Sequence, residues 1–337
     1  MRSTIKDVAR EAGVSIKTVS RVLNNERYVG AATAARVRAS VAKLNFRASS
    51  AARMLAGRRS FQIALICDNP NPYYIYEMQS GIRDRCAADG VRMIAQPYDR
   101  DSPRLIDDIE ELIDASGVDG LILTPPVTDH PQVLDLLKRR GVRFVRISPG
   151  TRSGIASSTF IDNERAAAMI TGHLTALGHR RIAFVAGHRS YATSGQRMSG
   201  YLRGLQQAGI ELDLELVRQG DFGFASGTSA AESLLDLAKP PTAIFAASDT
   251  MAAGVIAAAH RRGIALPASL SIVGFDDTAL AASVWPPLTT VRQPMRQLAY
   301  EAADLLLSGD AAAIESREIA FELVVRASTA PPQPGQR

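Results

Sequence analysis

The sequence predicts two structural classes in one chain. An N-terminal all-α headpiece of three helices, a helix-turn-helix followed by a hinge helix, precedes an α/β core of two doubly wound parallel-sheet subdomains. Three observations predict this. The first sixty residues carry 13 Lys/Arg against three Asp/Glu, a local net charge of +10, whereas the remainder of the 337-residue chain carries 26 against 31, a net of −5. Apolar residues between Thr4 and Asn25 recur at the spacing of short amphipathic helices. From Phe61 onward, short apolar runs alternate with helical stretches, the rhythm of strand and crossover helix in a parallel sheet.

The headpiece reads in order. Thr4 caps a helix with Ile5, Val8, Ala9 and Ala12 on one face, and Gly13 supplies the left-handed residue that ends it. Ser15 caps a second helix whose buried stripe is Val19, Val22 and Leu23. That stripe leaves Ile16, Lys17, Thr18, Ser20 and Arg21 on or near a face that can enter a major groove, with Asn24 just beyond. There Lys and Arg donate to guanine edges or phosphates, and Ile16 meets a thymine methyl. A third helix is expected over about 31–44, burying Val37, Val41 and Leu44, with Tyr28, Gly30 and Thr33 near its start as phosphate contacts. Concentrated positive charge on one small unit is the electrostatic footprint of nucleic-acid binding. The segment 48–60, with helix-forming Ala, Met and Leu, is too short to be a stable helix alone. It suits a hinge helix that forms against DNA and a twin from a second subunit, with Leu55 as a minor-groove wedge; the duller reading is a flexible linker.

In the core, strands are expected at 63–67, 91–95, 120–123, 144–147, 182–185, 243–246 and 272–275. Helices are expected at 74–88, 104–115, 133–140, 164–177, 196–207, 227–237 and 251–262. Ligands of such sheets bind beyond the carboxyl ends of the strands. The residues found there include Asp68-Asn69, Thr124, Ser148, Asp162-Asn163, Gly187-His188, Asp221-Phe222, Ser248-Asp249 and Asp276-Asp277. Arg197 points a planar donor fork at the same rim, and Tyr73, Tyr74 and Phe222 offer flat apolar walls, a combination suited to a polyhydroxylated ligand, with sugar the natural candidate. Each has a plainer alternative: Asp162, Ser248 or Asp249 as helix caps, and the tyrosines as core or interface residues.

Position 1 leads straight into polar, charged sequence, and no apolar run reaches membrane-spanning length. The expectation is a cytoplasmic protein, nucleoid-associated when bound to DNA, without a membrane partner. Cys67 and Cys86 read as core residues of a reducing compartment. The five histidines form no ligand-spaced pair, and His179 after Gly178 reads as a helix-exit residue. Gly220–Gly227 lacks the lysine of a phosphate loop, so no metal site, cofactor or catalytic residue is expected. A periplasmic sugar-binding protein would share the core but would lack the basic headpiece.

These motifs, taken together and in this order, resemble the LacI-type (lactose/galactose repressor) family of bacterial transcription regulators. The resemblance runs from Thr4 to about Thr329. It is carried by Thr4-Ile-Lys-Asp-Val-Ala, Val14-Ser-Ile-Lys-Thr-Val-Ser-Arg-Val-Leu-Asn, Ala51-Ala-Arg-Met-Leu, Asn71-Pro-Tyr-Tyr, Arg197-Met-Ser-Gly-Tyr, Ser248-Asp-Thr-Met-Ala-Ala-Gly and Val273-Gly-Phe-Asp-Asp.

The resemblance implies a repressor of carbohydrate-uptake or catabolism genes, with activation or a non-sugar metabolite as the alternative. It implies a homodimer on double-stranded operator DNA and a mono- or oligosaccharide effector in the cleft of a periplasmic-binding-protein-like core. Domains follow as headpiece 1–47, hinge 48–60, core 61–329 and Pro-rich tail 330–337. The N-subdomain is expected at about 61–161 plus 292–325 and the C-subdomain at 162–291. The implied DNA-contacting set adds Thr4, Ser15, Ser49 and Ala52 to the residues named above. The implied effector set is Tyr73, Tyr74, Tyr191, Thr193, Arg197, Phe222, Ser248 and Asp276, with Asp162 close by. Serine at 248 departs from the asparagine of many sugar-responsive members. The tail has no leucine heptads and therefore no tetramerising helix.

Overall fold

The structure, a computed structural model, describes residues 3–23, 28–46, 60–99, 102–151, 154–308 and 313–334. It divides into two compact units, Met1–Phe61 and Gln62–Arg337.

The first unit holds the helices Ile5–Ala12, Ile16–Leu23 and Ala31–Lys43. Thr4 and Asp7 form a reciprocal capping box, and Gly13 at φ 61° returns its N–H to the carbonyls of Ala9 and Arg10. Val8, Val19 and Val37, one from each helix, are fully buried, and Ile5, Leu23, Val41, Leu44 and Phe46 pack around them. Val41 and Leu44 are half-buried rather than central. Lys43 bonds Glu11 at 2.6 Å and so ties the third helix to the first. The hinge expectation, with Ser49, Ala52 and Leu55, and the contact expected of Asn24 lie outside the described residues.

The second unit has two six-stranded sheets. The first runs in the order β11-β5-β4-β3-β1-β2 and the second in the order β12-β10-β9-β8-β6-β7. In the first lobe, β1 (Gln62–Cys67), β2 (Arg92–Pro97), β3 (Gly120–Leu123) and β4 (Phe144–Ile147) coincide with the apolar runs. So do β6 (Ile182–Ala186), β8 (Ala243–Ala246) and β9 (Ser271–Asp276) in the second. All strand pairs are parallel except that of β10 (Thr289–Arg292) with β12 (Glu322–Val324). The interiors of β1, β3, β6, β8 and β9 are buried, as parallel strands covered by helices on both faces must be.

Sequence reasoning missed β5 (Ser158–Phe160), β7 (Val217–Gln219), β10, β11 (Ser316–Glu318) and β12, all of three or four residues. These runs are largely polar, so they lack the apolar signature that marked the equally short β3, β4 and β8. The helix Met295–Ser308 was missed too; it buries Leu298, Ala302 and Leu306 against the first sheet and the helix Pro72–Asp89.

The chain crosses between lobes three times: after β5, after β10, and between β11 and β12. Because β12 pairs with β10, the expected N-subdomain range 292–325 runs one strand too far; residues 322–324 belong to the second sheet. The expected tail also begins too early. His179 is buried, with Nδ1 2.8 Å from Thr242 Oγ1 and Nε2 2.9 Å from the Ala330 carbonyl, and Pro332 is buried as well. His179 is therefore an anchor for the chain end in addition to a helix-exit residue. Cys67 and Cys86 are buried free thiols, as expected.

Candidate functional site

On the headpiece, the helix Ile16–Leu23 turns Val19 and Val22 inward. Ile16, 45% exposed, and Lys17 lie on its open side, with Thr18, Ser20 and Arg21 half-buried beside them. Ser15 accepts from the Thr18 N–H at 3.1 Å and shares a 2.9 Å hydroxyl contact with Thr18, so both hydroxyls help to hold the helix start. No acidic residue stands in that first turn, which keeps the N-terminal end of the helix dipole positive. Tyr28 is 87% exposed. Gly30 caps the third helix without a side chain, leaving N–H groups open toward an anion, and Thr33 is half-buried in its first turn. Thr4 spends its hydroxyl on Asp7 at 2.7 Å, so its role in the unit is that of a cap.

Between the lobes of the second unit lies a cavity of about 30 Å³ lined by the carboxyl ends of both sheets. Arg197 is its centre. The guanidinium is 4% exposed; Nε donates to Asn163 Oδ1 at 3.0 Å and an Nη to the Ala247 carbonyl at 2.6 Å, while the group lies 3.6 Å over the Phe275 ring. Its other Nη is 3.9 Å from Asp276. Burial pushes the Asp276 carboxyl up to about 6, against the opposing pull of Arg197 and of the Gln293 amide, which donates at 3.1 Å. Burial, reinforced by Asp276, also raises Asp249 well above the carboxylate range. Asp249 accepts from the Thr278 N–H at 2.7 Å and from Thr290 Oγ1 at 2.6 Å, joining the turn after β9 to β10 beneath the site.

Tyr74, Tyr191 and Phe222 wall the cavity; the last two rings meet edge to face at 5.1 Å. Phe222 sits on Gly187, where a Cβ would stand 2.0 Å from the ring. Four non-glycine residues at this rim have left-handed backbone, Ser148 at φ 46°, Phe222 at 73°, Asp276 at 120° and Asp277 at 53°. Such strain collects where side chains must be aimed at a site.

Most of the expected effector residues are therefore brought together: Tyr74, Tyr191, Thr193, Arg197, Phe222, Ser248 and Asp276 all line the cavity. Two are not. Tyr73 follows Pro72 in the helix Pro72–Asp89, where adjacent side chains diverge by about 100°. With Tyr74 facing the cavity, Tyr73 is 39% exposed and lines a separate surface hollow with Tyr76 and Tyr300. Asp162 caps the helix Asn163–Ala176, accepting from the Arg165 N–H at 2.9 Å; its neighbour Asn163 makes the link to Arg197. Ser248 lines the cavity but also caps the helix Asp249–Arg261, accepting from the Met251 N–H at 3.1 Å.

The lining also includes Asn71, Pro125 and Gln293, which sequence reasoning did not select. Gln293 lies on a lobe crossing whose strand carried no periodic signal. Asn71 is the cap of its helix, accepting from the Tyr73 N–H at 3.0 Å. Among the described residues no group of His, Cys, Asp and Glu is placed to hold a metal ion, and no helix is long and apolar enough to cross a membrane.

Residues 4–49 match the profile of the bacterial regulatory proteins of the lacI family, and residues 171–329 that of a periplasmic binding protein-like domain. The transcriptional regulator DegA of Bacillus subtilis (strain 168) is 35% identical over 337 residues, covering 98% of this chain and 99% of that protein. The chain belongs to the LacI family. Another member, the transcriptional repressor PurR of Proteus mirabilis (strain HI4320), is 35% identical over 90% of this chain and 89% of its own length. The crystal structure of the lac repressor dimer bound to operator and the anti-inducer ONPF superposes with a TM-score of 0.84 at 29% identity, covering 98% of this chain and 100% of that one. As a LacI-family member, the protein is a DNA-binding transcriptional regulator and not an enzyme. The headpiece surface and the Arg197 cavity are its two candidate sites.

Proposed function

We propose that this regulator represses carbohydrate-uptake or catabolic genes in the cytoplasm, and that its effector is a polyhydroxylated sugar bound at Arg197. The observation that carries the reading is the Arg197–Asp276 pair. A guanidinium and a carboxyl group 3.9 Å apart offer adjacent donor and acceptor positions to neighbouring hydroxyls, with the Asn71 and Gln293 amides beside them. Tyr74 and Phe222 supply apolar surface for the C–H face of a ring.

In this reading Ile16, Lys17, Ser20 and Arg21 meet base edges, and Tyr28, Gly30 and Thr33 meet phosphates. The 48–60 segments of two subunits pair as hinge helices, and Leu55 wedges a minor-groove step. Effector closing the lobes changes the spacing of the two hinges and hence operator affinity. The test has two arms. Selection from random duplexes yields the operator, and a thermal-shift screen of sugars, sugar phosphates and nucleobases finds the ligand that raises the melting temperature. Stabilisation by nucleobases alone, with none by sugars, would replace the carbohydrate by a planar heterocycle stacked on the same rings.

A further inference from the structure

We propose that the groove beside the Arg197 cavity is a second carbohydrate subsite, so that the effector is at least a disaccharide with one ring at Arg197 and the next in the groove. This rests on the carbohydrate reading above. The cavity measures about 30 Å³ and the groove about 620 Å³. Ligand sites span roughly 300–1,000 Å³, while a space of a few tens of Å³ holds about one or two waters. The groove thus has room for a ring as the lobes stand, whereas the cavity admits one only when the lobes part.

The two spaces share one seam. In the first lobe Ser148 borders the cavity and Gly150 the groove; in the second, Tyr191 and Thr193 border the cavity and the intervening Ala192 the groove. A Cβ at Gly150 would stand 2.5 Å from that of Ala192, so the Gly150 backbone lies close against the Ala192 methyl at this seam. A ligand seated at Arg197 that parts these residues runs directly into the groove.

The groove is built rather than incidental. Arg146, 1% exposed in the middle of β4, donates to the Thr128 carbonyl at 2.8 Å, to the Thr151 carbonyl at 3.0 Å and to the Asp129 carboxylate. The other Asp129 oxygen accepts from the Gly150 N–H at 2.8 Å. A charge buried in a strand persists only when fully paired, and this pairing holds residues 148–151 as a fixed lip.

The polar heads of the groove suit hydroxyl groups. Arg146 neutralises Asp129, and Asp135 stands with Lys138 and Arg189 on the remaining lining. A polyol donates to Asp135 and accepts from Lys138 and Arg189, and Leu134 and Ile155 provide apolar contact for the ring face.

Titration calorimetry of the full-length protein with matched probes tests this: glucose with cellobiose and maltose, galactose with lactose, xylose with xylobiose. In the series that binds, the disaccharide is expected to bind at least about tenfold tighter than its monosaccharide, the increment of one or two added hydrogen bonds. Thr151→Trp, which fills the groove, removes that advantage while leaving monosaccharide affinity and operator binding unchanged. Ser190→Trp does the same from the opposite wall and serves if the first variant misfolds. A monosaccharide that binds as tightly as its disaccharide, or an advantage that survives both variants, overturns the subsite alone. Failure of every sugar, large and small, overturns the carbohydrate reading and the subsite with it.

Discussion

The Tyr191 hydroxyl donates to the Asp68 carbonyl at 2.6 Å, joining the start of a second-lobe helix to the end of β1 in the first lobe. This bond lies across the Arg197 cavity and exists only while the lobes are together. Tyr191→Phe keeps the ring against Phe222 but deletes the bond. The expected result is a rise of roughly tenfold or less in the effector Kd, with operator affinity in the absence of effector little changed. Calorimetry with the ligand found by screening checks this, and an unaltered Kd would mean that the bond plays no part in closure.

Arg197→Ala is expected to abolish the effector response and to leave operator binding intact. The structure adds a stability cost. The guanidinium also satisfies Asn163 and the Ala247 carbonyl, so truncation leaves buried acceptors unpaired at a cost of about 1–3 kcal/mol. Urea unfolding and operator binding measured on the same preparation separate the two effects.

Asp276 carries a pH signature. Burial raises its folded carboxyl to about 6 from 3.8, so between these values the native state holds a proton that the unfolded chain has released. The favourable contribution is complete below 3.8 and is lost as the pH climbs through about 6. Asp276→Asn, which cannot ionise, is therefore expected to gain stability relative to the wild type as the pH rises from about 4 to about 7. Urea midpoints of both proteins across that interval are the measurement; a constant difference would show that Asp276 titrates normally.

Gly187→Ala places a methyl group where the Phe222 ring lies. Expulsion of the ring removes one wall of the cavity, so effector binding is expected to fall by more than about tenfold. Operator binding without effector should persist. A crystal structure of the variant with Phe222 unmoved would contradict the steric argument.

On the headpiece, Arg21→Ala is expected to cost about 1–3 kcal/mol of operator affinity, confined to the selected sequence, if it reads a guanine edge. Lys17→Ala serves as its comparison. Equal weakening on operator and random duplex, with a shallower salt dependence, would reassign the residue to a phosphate contact.

Legibility followed chemistry and length. Strands such as β8, four consecutive apolar residues buried on both faces, were plain because parallel strands need no alternation. Arg197 and Asp276 stood out as a planar donor fork and a carboxylate directed at one rim, although an Asp after a strand also serves as a helix cap. Gln293 did not, since an amide between two short strands carries no local mark. Asp162 was open between ligand residue and helix cap until its bond to the Arg165 N–H decided for the cap.

By itself the sequence determined the two architectures, the charge division between them and the residue types available to the cleft. All of these rest on periodicity, turn chemistry and composition, which are local properties. The tertiary structure decided which of two adjacent tyrosines faces the cavity, where the third crossing returns to the second sheet, and how Arg146 shapes a groove beside the seam. These depend on helix rotation, on edge-strand pairing and on the close approach of residues more than forty positions apart in sequence, such as Gly150 and Ala192. No window along the chain contains that information, because it arises only when separate segments exclude water from the same volume.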